Sequence, residues 1–117
     1  MLSSFRDLDF YRDSYQLALE IHQVTLTFPA FEKLEQGSQM RRASKRIPAN
    51  IAEGFKKRGK ADKVRFYNTA QGSLEECRYY MILTKDLGYG DTSELNAKLA
   101  EVSRMLEAYM SRLLDSQ

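Results

Sequence analysis

Met40-Arg41-Arg42-Ala43-Ser44-Lys45-Arg46-Ile47-Pro48-Ala49-Asn50-Ile51-Ala52-Glu53-Gly54 is the stretch on which the fold turns. Met40, Ala43, Ile47 and Ile51 recur three and four residues apart, the spacing that gathers apolar side chains on one face of a helix. At about 100° per residue, Arg41, Arg42, Lys45, Arg46 and Glu53 fall on the opposite side. The pattern predicts a helix starting near Phe31 or Glu32, with Leu34, Gly37 and Phe55 extending its buried stripe and a cationic back turned to solvent. Pro48 sits inside it and is expected to kink or break it, at a cost of about 3 kcal/mol if unrelieved. The proline leaves the Ser44 carbonyl without its helical donor. Asn50 and Glu53 are candidates to satisfy freed groups or pair with arginines, a structural role weighed against ligand binding.

Upstream, Leu8, Tyr11, Tyr15, Ala18, His22 and Thr25 mark one face of a first helix over residues 8–27, with Asp7 as its N-cap. Phe28-Pro29 ends it, because proline disfavours a helical residue before it and cannot donate the next hydrogen bond. Downstream, Gly54 reads as a helix end and Lys56-Lys57-Arg58-Gly59-Lys60 as a basic loop, where cations suit the negative end of the helix dipole. A third helix over residues 61–87 buries Tyr67, Ala70, Leu74, Cys77 and Met81 and stops at Gly88-Tyr89-Gly90. A fourth, capped by Asp91, Thr92 or Ser93, runs to about Leu114 on Leu95, Leu99, Val102, Leu106, Tyr109 and Leu113. Long helices joined by short loops predict an all-α, antiparallel up-down-up-down four-helix bundle over residues 1–117, and a chain of 117 residues has room for one such domain.

Some apolar residues lie outside these stripes: Phe10, Leu17 and Val24 on the first helix, and Phe66, Tyr79, Ile82 and Leu83 on the third. Exposed apolar patches mark interfaces, so self-association is expected.

The net charge of +2 hides an asymmetry. Between Arg41 and Arg65 ten basic residues face two acidic ones, a local +8, and the rest of the chain carries −6. Arg41, Arg42, Lys45, Arg46, Lys56, Lys57, Arg58 and Lys60 are the candidate contacts to RNA or DNA, since clustered cations displace counterions from a phosphate backbone. The competing reading is a solvated face, or charge paired with an acidic face of another subunit.

Chemistry for catalysis is sparse. His22, the single histidine, faces the predicted core and reads as a packed residue rather than a base. Ser73 and Cys77 share a helix face with no base near them, and Glu75 and Glu76 point about 100° apart. No phosphate loop, zinc spacing or di-metal signature occurs, so neither an enzyme nor a cofactor is expected. One cysteine excludes an internal disulfide, no apolar run approaches the roughly 18 residues of a membrane span, and Arg6, Asp7 and Asp9 break any signal peptide; a cytoplasmic protein is expected.

Gln39-Met40-Arg41-Arg42-Ala43, Ile47-Pro48-Ala49-Asn50-Ile51-Ala52-Glu53-Gly54, Ala70-Gln71-Gly72-Ser73-Leu74-Glu75-Glu76 and Leu87-Gly88-Tyr89, with Phe5-x-x-Leu8-x-x-Tyr11 and Phe28-Pro29, carry a resemblance over nearly the whole chain. It resembles the four-helix-bundle family encoded in intervening sequences of large-subunit ribosomal RNA genes. The resemblance implies a ring-like homo-oligomer, a pentamer, without catalytic activity. A related branch is similar to the accessory protein of diversity-generating retroelements, a basic pentameric barrel that binds a reverse transcriptase and nucleic acid. The family's positions fall on Arg42, Ala43, Ile47, Pro48, Asn50, Glu53 and Gly54. Where the family has serine before the Ile-Pro pair this chain has Arg46, which adds charge and puts any serine-dependent contact in doubt.

Overall fold

The computed structural model describes residues 2–116, which hold only helices, turns and loops. A 3-10 turn at Phe5–Asp7 precedes α1 (Asp9–Thr25), a short α2 (Ala30–Leu34), α3 (Gln36–Lys56), α4 (Lys60–Asp86) and α5 (Ser93–Asp115). The four long helices form the bundle.

Cross-helix bonds fix how they lie. Gln36, at the start of α3, donates to Thr84 near the end of α4 at 2.9 Å, while Lys63 at the start of α4 reaches the Phe55 carbonyl at 2.7 Å. Across α4 and α5, Gln71 and Ser103 exchange two hydrogen bonds and Lys85 meets Ser93. Phe10 packs on Tyr109 and Glu20 pairs with Lys98 across α1 and α5, and Arg41 joins Thr25 across α3 and α1. Starts meet ends and, at Gln71 and Ser103, middle meets middle, so adjacent helices run in opposite directions.

One core joins all four. Ile21 of α1, Met40, Ile47 and Ile51 of α3, Tyr67, Leu74 and Met81 of α4, and Leu99, Val102 and Leu106 of α5 are fully buried. Burying each large side chain contributes about 1.5–3 kcal/mol, set against the entropy of ordering the chain. The predicted stripe of α4 is buried throughout, and the α5 stripe is buried at Leu99, Val102 and Leu106 and half-buried at Leu95, Tyr109 and Leu113.

The structure corrects the helix map at several points. On α1 the core side is Phe10, Ser14, Leu17, Ala18, Ile21 and Thr25; Tyr15 is exposed and Tyr11 and His22 are half-buried. Phe10 and Leu17 therefore lie in the core rather than on an outer patch. Ser14 and Thr25 can accompany them because each hydroxyl donates to the carbonyl three residues back. Asp7 caps the 3-10 turn in a reciprocal box with Ser4, and its carboxyl is held below its ordinary pKa by the Ser3 and Ser4 N–H groups.

The second predicted helix breaks at Glu35, not at Pro48. Helix α3 runs through Pro48 because Ile47 and Ile51 on either side are locked in the core. The break leaves Leu34, expected in the core, 81% exposed. Nor does Gly54 end the helix. A Cβ there would sit 2.7 Å from the Tyr67 ring, so glycine permits the close crossing of α3 and α4. Gly88 does stop α4: its φ is +78° and the Tyr89 N–H reaches back to the Thr84 carbonyl at 3.0 Å, a left-handed cap. Thr92 precedes α5, but its hydroxyl bonds the Met81 carbonyl instead of capping the helix.

Candidate nucleic-acid interface

The eight candidate cations divide by what surrounds them. Arg41, expected outside, is half-buried: its guanidinium donates to the Thr25 hydroxyl at 2.7 Å and the Lys33 carbonyl at 2.9 Å. It ties α1, α2 and α3 together at the Glu35 break and presents no free fork to a phosphate. Arg46 is exposed but leans on Glu76 of α4 at 3.8 Å, an exposed pair of small energetic weight. Arg42, Lys45, Lys56 and Arg58 are exposed, Lys60 half-exposed, and none of the five makes an ion pair or side-chain hydrogen bond among the described residues.

Four of these positions meet at the α3–α4 turn. Lys56 ends α3, Lys57 and Arg58 form the turn, and Lys60 opens α4. The Lys57 ammonium lies 4.9 Å from the centre of the Phe66 ring, and Arg65 lies 5.0 Å from it. One ring thus gathers two cations from both sides of the turn, Lys57 without an ion pair among the described residues and Arg65 also paired with Asp62 of its own helix at 3.3 Å. The sequence named Lys57 as a candidate contact and counted Arg65 only within the basic segment, without joining them. The available signal was an aromatic residue on the first turns of α4, outside its buried stripe.

Lys63 plays a different part. Its ammonium reaches the carbonyls of Gly54 and Phe55 at 3.4 and 2.7 Å, neutralising the negative end of α3, and burial lowers its pKa. Asn50 donates to the Arg46 carbonyl at 2.8 Å rather than to that of Ser44, and Glu53 is exposed with no ion pair among the described residues.

Between α1 and the middle of α3 runs an apolar groove of about 520 Å³, lined by the buried Ala18 and Pro48 and by Tyr15, Leu19, Ala49 and Ala52, with the exposed Lys45 at its edge. His22 lines this groove, and its ring makes no hydrogen bond among the described residues, so it is not the packed core histidine expected. Cys77 is buried, and burial pushes its thiol up to about 12, which keeps it protonated and a poor nucleophile. Among the described residues no group of three or more His, Cys, Asp or Glu is arranged to hold a metal, and no helix is long and apolar enough to cross a membrane.

No curated protein sequence matches the chain. The profile of the 23S rRNA-intervening sequence proteins matches residues 6–108, taking in α1, α3, α4, the basic turn and most of α5. A match over that much of the sequence, on an all-helical bundle, places the chain in the 23S rRNA-intervening sequence protein family.

Proposed function

We propose that this chain is a non-catalytic cytoplasmic protein that assembles with copies of itself, five being the number its resemblance implies. In this reading it holds RNA or DNA through the cations around the α3–α4 turn, as a scaffold for a partner such as a reverse transcriptase. The observation that carries it is the unpaired set Lys56, Arg58 and Lys60, with Lys57 held over the Phe66 ring beside them. Cations that the fold does not consume release counterions when they meet phosphates, and such contacts read no sequence. Repeating the turn around an assembly multiplies the effect, because one nucleic-acid strand can then engage several turns at once.

The test is a salt titration of binding to labelled RNA and to duplex DNA, on protein whose mass is fixed by light scattering. Binding should weaken steeply, with log K falling against log salt by about 0.9 for each duplex phosphate neutralised. A second reading is favoured by Phe31 and Leu34 of α2, which stand 68% and 81% exposed. There the chain is a protein adaptor whose basic face meets an acidic partner. An assembled protein that ignores both nucleic acids at low salt would select that reading.

A further inference from the structure

Two surface stripes on this protomer, exposed but for a half-buried Ala52, share a spacing and are complementary in charge and size. On α3, Lys45, Ala49, Ala52 and Lys56 follow one another at intervals of four, three and four residues, two small side chains between two ammonium groups. On α4, Glu75, Tyr79, Ile82 and Asp86 repeat the same intervals, two large apolar side chains between two carboxylates. Each stripe is about 16 Å long at 1.5 Å per residue. Tyr79 and Ile82 are 58% and 54% exposed, and no buried side chain interrupts either stripe.

Lys45, Ala49 and Ala52 of the α3 stripe line the apolar groove together with Tyr15 and Leu19 of α1, and Lys56 follows one turn beyond the lining. The α4 stripe turns its two large side chains outward as a ridge, with Ile82 and Asp86 also edging a second groove against α5. The two belong to different faces of the bundle, since α3 lines the groove with α1 whereas Ile82 borders α5 on the far side of α4. Their charges are available: Lys45, Lys56 and Asp86 make no ion pair among the described residues, and Glu75 has only Arg78 of its own helix, at 3.6 Å. Small residues let a second helix approach closely, and large ones fill the space offered.

From this complementarity we infer that the α3 groove of one protomer receives the α4 ridge of a second copy of the chain. Tyr79 and Ile82 pack over Ala49 and Ala52 while Lys45 and Lys56 meet Glu75 and Asp86. Because donor and acceptor faces differ, the contact is head-to-tail, and repeated it builds a ring where the rotation closes. The inference rests on the self-assembly part of the proposed function and sharpens the rest of it. Lys45 and Lys56 are drawn into the subunit contact, which leaves Lys57, Arg58 and Lys60 for nucleic acid.

The experiment is light scattering on the full chain over a range of concentrations, with helicity and melting followed by circular dichroism. Wild type should show a multiple of 13.6 kDa. The Lys45→Glu/Lys56→Glu and Glu75→Lys/Asp86→Lys variants, altered only at exposed positions, should each remain folded and fall to the monomer mass, because like charges then face each other. Combining all four changes restores opposite charge across the contact and should return the wild-type mass. A monomeric wild type, either double variant at full mass, or a four-site variant that stays monomeric would overturn the inference. RNA binding is read separately: its absence in an intact assembly removes the nucleic-acid reading and leaves this contact standing.

Discussion

The two ends of α3 use the same kind of residue for opposite ends. Near its start Arg41 is turned inward onto Thr25 and the Lys33 carbonyl, and its charge is spent holding three elements together. Just past its finish Lys57 and Arg58 stand in water, with a neighbouring ring to order Lys57. Counting cations along the sequence treats the two ends alike. What separates them is whether the backbone nearby leaves carbonyls in need of a donor, as the break at Glu35 does and the α3–α4 turn, already served by Lys63, does not.

The largest effect should come from the crossing that sets the turn's position. Gly54→Leu would drive a side chain into the Tyr67 ring, where even a Cβ lies at 2.7 Å. A loss of about 3 kcal/mol is expected from overpacking, read as a fall in melting temperature with a collapse of binding. If Gly54→Leu melts like wild type, the close crossing does not position the turn.

Arg41→Ala comes next. It strips a donor pair from the Thr25 hydroxyl and the Lys33 carbonyl, and stability should fall by about 1–3 kcal/mol in chemical denaturation. Nucleic-acid affinity of the folded variant should stay at the wild-type level. A variant with unchanged stability and weakened binding would place Arg41 with the turn and dissolve the contrast between the two ends.

The smallest effect on stability belongs to the turn. Changing Lys57, Arg58 and Lys60 together to Gln removes exposed charge, and denaturation midpoints should move by no more than about 0.5 kcal/mol. The whole consequence should appear in binding.

How much of this was legible in the sequence differs by helix. On α4 the series Tyr67 to Met81 runs unbroken and is buried as read, while the apolar residues off it, Phe66, Tyr79, Ile82 and Leu83, stay half-buried or exposed. On α1 two series compete. The face holding Phe10, Leu17 and Ile21 goes inward because these side chains carry no polar atom, whereas Tyr15 keeps its hydroxyl in water. Sequence alone weighted the tyrosine-bearing face.

The break at Glu35 left only one trace, Gly37, where a Cβ would crowd the Glu32 carbonyl at 3.2 Å and the Arg41 guanidinium at 3.0 Å. Arg41 could not be told from Arg42 by spacing, because its partners Thr25 and Lys33 lie on α1 and α2 and meet it only once the chain has folded. The candidate site was legible as a basic segment. Its division into structural and free cations was not, since that depends on acceptors supplied by other helices.

The most direct test of the central claim compares the salt dependence of RNA binding by wild type and by the Lys57→Gln/Arg58→Gln/Lys60→Gln variant, both at confirmed equal mass. If the free cations of the α3–α4 turn carry the interaction, the variant should bind more weakly at low salt and its log–log slope should shrink by about 0.7 for each single-strand phosphate contact removed in a subunit. An unchanged slope in a folded, assembled variant would contradict the account and move the interface away from the turn.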